Sequence, residues 1–359
     1  MKICFFIDDF SAVGGIQRIT PIVCNALSEY HTVHVVSIYN EHNSENEDLY
    51  VQGIKLSVLI EGKKEYVKQS LKAAKLLRDY LERNGIDILV SSSEMLVPYC
   101  YLATRGLEVP FACWTHTPAL SYDETILQKP FKWIASKKAA FIIALTKDNQ
   151  NAWKKKYHID NVVEIPNPID PSINRNHRYN ADSKKIVSVG RICYQKNYEA
   201  LVEVAKIVFG ETSGWTWDIY GDGNDRPKIE KLIIENGLEP YVVLKGNVSN
   251  MYDLYKDYAF QVMTSRFEGF PMTLLEGMAN GLPLVGFGVD GVGEVIKNGE
   301  NGYLIEPFDV SDMAKKTIGL INDYRLRKKF SDNSFSSCDN YDIGAAIEKW
   351  NSLFEKMRK

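Results

Sequence analysis

Short runs of apolar residues recur along the chain, and longer stretches with apolar residues at helical spacing separate them. Residues 2–7 and 32–39 are such runs, and residues 15–29 between them carry the helical pattern. A continuous apolar run is typical of a strand that is buried on both faces of a parallel sheet. Buried strands that alternate with helices predict a doubly wound α/β sheet.

The alternation starts again after a polar stretch that contains several prolines, residues 165–183. Further strands are predicted beyond it, at residues 185–189, 215–220, 242–246, 260–263 and 282–287. A chain of 359 residues exceeds the size at which one core keeps growing. We therefore predict two α/β domains that divide within this polar stretch.

Composition excludes several classes of protein. The net charge of −3 and the charged fraction of 25% indicate no general attraction to nucleic acid. The six cysteines form no Cys-x-x-Cys, which predicts reduced thiols in a cytoplasmic protein and neither a disulfide framework nor a zinc site. The first apolar run is short and ends in Asp8 and Asp9, which argues against a signal peptide. No apolar run reaches the length of a membrane span.

The most specific candidate site lies at residues 260–283, where an apolar strand leads into a Gly-Phe-Pro turn. We predict a helix that starts at Pro271, because proline is favoured at a first helical position. Glu268 then lies on the loop and Glu276 just over one turn into the helix, with seven residues between them. The start of this helix offers an anion site, formed by the backbone N–H groups of Phe270, Met272 and Thr273.

Two carboxylates beside an anion site suit a ligand that has hydroxyls at both ends and a phosphate in the middle, as a nucleotide sugar does. On the pair alone, two solvated carboxylates at a helix end are the simpler interpretation. Arg191 and Lys196 follow another predicted strand, are five residues apart and are able to grip a diphosphate. Gly14 and Gly15 place N–H groups at a helix start, although a plain turn would have the same sequence.

The setting of the two glutamates resembles a known signature. The stretch S-R-F-E-G-F-P-x-x-x-L-E-G-M-A-x-G-x-P is similar to the Glu-x7-Glu motif of family-4 retaining glycosyltransferases of GT-B architecture. The resemblance covers nearly the whole chain and is specific in the second domain. It implies two Rossmann-like domains, residues 1–168 and 169–338, that face a cleft, with a C-terminal helical segment, residues 339–359, that returns to the first domain.

The resemblance also implies roles for individual residues. Glu268 would hold the donor sugar and Glu276 the ribose, while Arg191 and Lys196 would bind the diphosphate. His116, which follows the predicted strand at residues 111–115, would contact the sugar near the reacting carbon. The other residues expected around the donor are Gly14, Gly15, Gly221, Asn247, Val248, Phe270, Met272 and Thr273.

The implied reaction moves a hexose or N-acetylhexosamine from a nucleotide diphosphate sugar to a hydroxyl of a glycan or lipid-linked acceptor. UDP is the expected nucleotide, and synthesis of a cell-surface polysaccharide, such as a capsule or lipopolysaccharide, is the expected setting. The chain has no Asp-x-Asp triplet, so we expect neither a metal nor another cofactor. A nucleotide-sugar epimerase and a non-catalytic subunit that binds nucleotide sugars are the alternatives.

A basic segment extends from Lys129 to His158. Its only acid is Asp148, and aromatic residues lie between its eight lysines, which are Lys129, Lys132, Lys137, Lys138, Lys147, Lys154, Lys155 and Lys156. One interpretation is a surface that binds anionic lipid or a lipid-diphosphate acceptor, which would place the protein at the inner face of the cell membrane. The other is two solvated helix faces with aromatic residues in the core. Nucleic acid suits the negative net charge less well.

Overall fold

The computed structural model describes residues 1–10, 12, 14–40, 48–61, 66–120, 128–175 and 179–358. The chain divides into two compact units, Met1–Pro168 with Ile343–Lys359, and Ile169–Asp342. Each unit contains a parallel sheet flanked by helices, which confirms the predicted α/β class. The sequence also predicts a polar surface loop over residues 41–48 and an amphipathic helix over residues 63–84; of these, residues 41–47 and 63–65 lie outside the described residues.

The strands of the first unit follow the apolar runs closely. They are β1 (Lys2–Asp9), β2 (Thr32–Tyr39), β3 (Lys55–Val58), β4 (Ile88–Ser91), β5 (Phe111–Trp114), β6 (Phe141–Ala144) and β7 (Val162–Glu164). Within the described residues they form one parallel sheet in the order β3-β2-β1-β4-β5-β6-β7. Phe5 of β1 lies between Val35 and Val90 of its neighbours, in a fully buried layer. The strand order changes direction between β1 and β4, and ligands of such sheets bind at the carboxyl ends of the strands at this point.

Helices cover both faces of this sheet. They are α1 (Gly15–Leu27), α2 (Tyr66–Asn84), α3 (Val97–Thr104), α4 (Gln128–Lys138) and α5 (Lys147–Tyr157). A 3₁₀ turn, Glu94–Leu96, connects β4 to α3. Helix α5 starts where the side chain of Thr146 accepts a hydrogen bond from the Asn149 N–H, and it ends at His158 in the left-handed conformation. Both features are usual helix boundaries.

The second unit repeats the architecture with a different set of elements. Its strands are β8 (Lys185–Val189), β9 (Thr216–Tyr220), β10 (Val242–Gly246), β11 (Phe260–Met263), β12 (Leu284–Phe287) and β13 (Gly302–Ile305). Its helices are α6 (Tyr198–Glu211), α7 (Arg226–Glu235), α8 (Met251–Leu254), α9 (Met272–Ala279), α10 (Val292–Val295), α11 (Val310–Asn322) and α12 (Tyr324–Ser337). The sheet order, again for the described residues, is β10-β9-β8-β11-β12-β13, so its switch point lies between β8 and β11.

The last helix, α13 (Ile343–Arg358), belongs to the first unit, which confirms the implied return of the chain. Trp350 of α13 is 1% exposed, and its ring lies 5.6 Å from that of Phe5 and 5.2 Å from that of Trp114. The boundary lies at Asp342, not at residue 338 as expected. The reason is a 3₁₀ turn, Cys338–Tyr341, whose buried Cys338 and whose Tyr341 hydroxyl bond to carbonyls of the second unit.

Candidate functional site

The switch point of the second sheet brings two predicted loops together. The loop after β8 carries Arg191 and Lys196, and the loop after the neighbouring strand β11 carries Glu268. Hydrogen bonds join the loops: the Arg266 N–H donates to the Gln195 carbonyl at 2.7 Å, and the Gln195 side chain donates to the Phe267 carbonyl at 3.1 Å. The positions of the charged residues are therefore fixed by loop-to-loop contacts as well as by the sheet.

Glu268 is the centre of a buried charged cluster. The residue is 5% exposed, and its Oε1 accepts hydrogen bonds of 2.6 Å from Lys196 Nζ and from Ser265 Oγ. Both donors bond to the same oxygen, and Oε2 has no hydrogen-bond partner among the described residues. Hydrogen bonds to ionised groups are short and strong. The two donors therefore orient the carboxylate and leave one oxygen available to a ligand.

Glu276 lies in α9 and is also buried, at 3% exposure. The Tyr255 hydroxyl lies 3.2 Å from Glu276 Oε2 and 3.2 Å from the Thr273 carbonyl, so this tyrosine braces the helix start. The Thr273 Oγ1 is buried and has no hydrogen-bond partner among the described residues. Glu276 is therefore not a solvated helix-end carboxylate.

The start of α9 differs from the prediction in two respects. Pro271 has ψ 81° and precedes the helix, which begins at Met272. Its carbonyl accepts hydrogen bonds from the N–H groups of Leu274 and Leu275, as that of a capping residue does. The Met272 N–H donates to the Phe270 carbonyl at 3.0 Å, so it is engaged in the turn in this conformation. Of the expected anion-binding amides, this leaves those of Phe270 and Thr273.

The glycine at position 221 serves the packing of two loops. A Cβ there would lie 2.0 Å from the Gly190 carbonyl oxygen, and its φ of +133° is one that other residues rarely adopt. The neighbouring loop therefore accounts for the glycine at position 221, which the resemblance placed among the residues around the donor. Arg191 is exposed, as are Asn247 and Val248 after β10.

In the first unit, Gly14 and Gly15 lie at the start of α1, as predicted. Gly14 is extended, no side chain caps the helix, and a Cβ at Gly15 would have no described atom within 4 Å. His116 follows β5, and its ring centroid lies 4.5 Å from that of Trp114. Its Nε2 is buried and has no hydrogen-bond partner among the described residues. Burial lowers the pKa of His116 to about 3, so the imidazole is neutral at physiological pH.

The basic segment from Lys129 to His158 is only partly a surface. Lys132 is fully buried and donates to the Pro118 carbonyl at 2.7 Å, while Lys156 donates to the Ala119 carbonyl at 2.8 Å. Lys132 therefore does not contribute to such a surface, and the half-buried Lys156 directs its ammonium group to the loop that carries Pro118 and Ala119. The exposed members are Lys129, Lys137, Lys138, Lys147 and Lys155, together with Trp133, which is 56% exposed.

Sequence reasoning missed the residues that support the charged cluster. Ser265 belongs to the motif, three positions before Glu268, but its spacing did not indicate a hydrogen bond to that carboxylate. Gln195 and Tyr255 carried no signal, because their partners are distant in sequence. In the described part of the chain, no group of three or more histidine, cysteine, aspartate or glutamate side chains is placed to hold a metal ion. Metal independence itself stays a prediction.

The two parts of the chain match two family descriptions. Residues 13–173 match "Glycosyltransferase Family 4", and residues 170–336 match "Glycosyl transferases group 1". The chain belongs to glycosyltransferase family 4. This confirms the resemblance that the two glutamates and their surroundings suggested.

Proteins similar to this family-4 member are found in several bacteria. An uncharacterized glycosyltransferase of Haemophilus influenzae is 26% identical, over 98% of this chain and 99% of its own length. The amylovoran biosynthesis glycosyltransferase AmsD of Erwinia amylovora is 24% identical, over 98% and 99%. Among solved structures, Anabaena HepE in complex with UDP and glucose superimposes with a TM-score of 0.83 at 16% identity, over 98% and 99% of the two chains. The fold is therefore GT-B, as expected. No described helix combines the length and the hydropathy that crossing a bilayer would require.

Proposed function

We propose that this glycosyltransferase moves a hexose or N-acetylhexosamine from a nucleotide diphosphate sugar, with UDP as the nucleotide, to a hydroxyl of a glycan or lipid-linked acceptor, with retention at the anomeric carbon. The observation that carries the proposal is the cluster of Lys196, Ser265 and Glu268 at the switch point of the second sheet. Similarity to a protein solved with UDP and glucose supports the donor class, and similarity to AmsD supports cell-surface polysaccharide as the product class.

The charges suit the chemistry of this reaction. Cleavage of the glycosyl–phosphate bond leaves negative charge on the diphosphate, and Arg191 and Lys196 would stabilise that charge most when it is fully developed. An ammonium group has three donors, so Lys196 can keep its bond to Glu268 and also bind a phosphate oxygen. Protein cations would then serve in place of a metal ion, and Glu276 would accept hydrogen bonds from the ribose hydroxyls.

Retention needs no protein nucleophile in this scheme. The acceptor oxygen attacks the anomeric carbon from the face that the diphosphate leaves, and its proton passes to the departing phosphate oxygen. Glu268 Oε2 would accept a hydrogen bond from the donor sugar and fix its orientation. The neutral imidazole of His116 would contact the sugar near the reacting carbon without adding a positive charge.

Replacement of Glu268 by glutamine tests the proposal. We expect turnover to fall roughly 10²-fold or more, while nucleotide affinity by titration calorimetry changes only severalfold, because the nucleotide is held mainly by other residues. Equal losses of turnover and affinity would contradict the role of Glu268. A thermal-shift panel of UDP-, GDP- and ADP-sugars identifies the nucleotide, since a bound ligand stabilises the folded state.

Three further readouts test the remaining parts of the assignment. Consumption of the donor without any acceptor would favour an epimerase, and tight donor binding without turnover would favour a non-catalytic subunit. NMR of the product tests retention through its anomeric configuration. Full activity after treatment with EDTA is expected if no metal takes part.

We also propose that the exposed part of the basic segment binds anionic membrane. Lysines beside an exposed tryptophan suit a lipid interface. Replacement of Lys129, Lys137 and Trp133 by alanine should reduce sedimentation with vesicles that contain anionic lipid. The exposed Lys206 and Lys256 of the second unit are the control pair, and their replacement should leave sedimentation unchanged. Equal effects of the two sets would indicate only a general response to charge.

A further inference from the structure

Side chains from separate elements converge on the short loop that follows β5, residues 115–119, which carries His116. They are Glu94, Lys132, Asn149 and Lys156. We propose that Lys132, with these neighbours, is a positioning residue that holds the His116 loop in the conformation used for sugar transfer. The inference rests on the proposed contact between His116 and the donor sugar.

Two lysines hold consecutive carbonyl groups of the loop. Lys132 Nζ donates to the Pro118 carbonyl at 2.7 Å from the inner side of α4, and Lys156 Nζ donates to the Ala119 carbonyl at 2.8 Å from α5. Lys132 is 0% exposed, whereas Lys137 on the same helix is exposed. Hydrogen bonds with an ionised donor are about twice as strong as neutral ones.

Asn149 and Glu94 form hydrogen bonds with other groups of the same loop. Asn149 uses both ends of its amide, since Oδ1 accepts from the Ala119 N–H at 2.7 Å and Nδ2 donates to the Thr117 carbonyl at 3.3 Å. Glu94, which is 1% exposed, accepts a hydrogen bond from the Thr117 hydroxyl. The residue next to His116 is thus held through both its side chain and its backbone.

The stability of the fold does not by itself explain a buried lysine at position 132. Burial of an ammonium group is costly, and an apolar side chain at position 132 could fill the same space beside the buried Ala135 at lower cost. The loop has left the sheet after the bond from the Thr115 N–H to the Ile143 carbonyl, so its conformation depends on side chains. A site on a loop needs such support to keep a reacting geometry.

The test compares Lys132→Met with Lys75→Met, which removes an exposed lysine of α2 in the same unit. For Lys132→Met we expect kcat to fall roughly tenfold to a hundredfold, as a small misplacement can cause. The KM for the donor should stay within about threefold, because the nucleotide contacts that set it lie in the second unit. Lys75→Met should match the wild type in both constants.

A second readout does not depend on activity. Titration of the six histidines by NMR, with His116→Gln to assign the signal, reports the surroundings of the imidazole. If Lys132→Met loosens the loop, water reaches the ring and its pKa rises from about 3 toward about 6.5. A change that was only structural would lower the unfolding temperature and leave both the kcat and this titration unchanged.

Each outcome decides between the proposals. Unchanged kcat and unchanged titration in Lys132→Met would overturn the positioning role. Normal turnover in His116→Gln would refute the proposed contact of His116 with the sugar, and a shifted titration in Lys132→Met would then show that the lysine fixes a loop without a catalytic task. If Lys132→Met does not fold, Asn149→Ala replaces it, because Asn149 is only half-buried and the Thr146 cap of α5 is retained.

Discussion

The pair of Lys196 and Glu268 allows a quantitative test of how the site is built. The Lys196 side chain is 16% exposed and that of Glu268 is 7% exposed, and they are joined at 2.6 Å. Lys196→Met leaves the carboxylate buried with only the Ser265 hydroxyl as a donor. Loss of one partner from a buried ion pair costs about 3–5 kcal/mol, and the partial exposure of Lys196 places the expected loss near the lower end, about 3 kcal/mol.

The second unit contains a matched control. Lys228 and Glu199 are also joined at 2.6 Å, but their side chains are 59% and 22% exposed. Lys228→Met should cost little stability, because water replaces the lost partner. For a unit of this size, 1 kcal/mol corresponds to roughly 2–4 °C in the unfolding temperature. Lys196→Met should therefore unfold roughly 6–12 °C below the wild type, and Lys228→Met close to the wild type.

The double variant Lys196→Met with Glu268→Gln separates stability from chemistry. It removes both charges, so it should recover much of the lost stability, with a coupling energy of about 1–3 kcal/mol. It should not recover transfer activity, because no cation then meets the diphosphate at position 196 and no carboxylate meets the sugar. Thermal unfolding and a transfer assay on the four proteins measure both effects. Additive stability losses, or equal losses in Lys196→Met and Lys228→Met, would refute this account of the buried pair.

Three further predictions concern other parts of the chain. Gly221→Ala should lower the unfolding temperature, because the added Cβ would lie 2.0 Å from a neighbouring carbonyl oxygen. Gly319→Ala, on the open surface of α11, should instead stabilise the fold by roughly 0.5–1 kcal/mol. The pKa of His116 is lowered on folding, so the folded state binds fewer protons than the unfolded state below pH 6.5 and loses stability as the pH falls from 6.5 toward 3. Urea titrations should show that the free energy of unfolding of His116→Gln falls less steeply over this range. The difference in slope should be at most about 1.4 kcal/mol per pH unit. Trp350→Ala, at a buried site, should cost roughly 3–5 kcal/mol, and Trp133→Ala, at an exposed one, much less; an equal loss at both positions would contradict the packing described for α13.

The agreement between expected and observed elements has a local cause. Strands β2, β8, β10 and β11 begin and end at the residues that the apolar runs indicated, because most positions in each run are apolar. Boundaries that depend on backbone geometry were less accurate. Pro271 lies just before α9, since its ψ of 81° follows from the Gly-Phe-Pro turn. The local conformational preference of proline allows it either just before a helix or at the first helical position.

The chemistry of the candidate site was partly visible in the motif and partly hidden. Glu268, Glu276, Arg191 and Lys196 could be selected because an unusual combination of residue types surrounds them. The bond from Ser265 to Glu268 could not, because a serine of this kind is equally able to cap a turn or face solvent. In the basic segment, the sequence suggested more surface charge than the structure has. A count of lysines assumes that all of them are exposed, and Lys132 is fully buried.

The residue pattern alone determined the α/β class, the division near residue 168 and the residue types of the family signature, because each depends on periodicity or on neighbours along the chain. Tertiary structure alone decided which side chains meet. Lys196 and Glu268 are 72 positions apart, and Lys132 is 14 positions from the carbonyl that it binds. The first contact arises because the order of strands in a sheet makes two loops adjacent, and the second because a helix packs beside a loop. Sequence spacing carries no record of either arrangement.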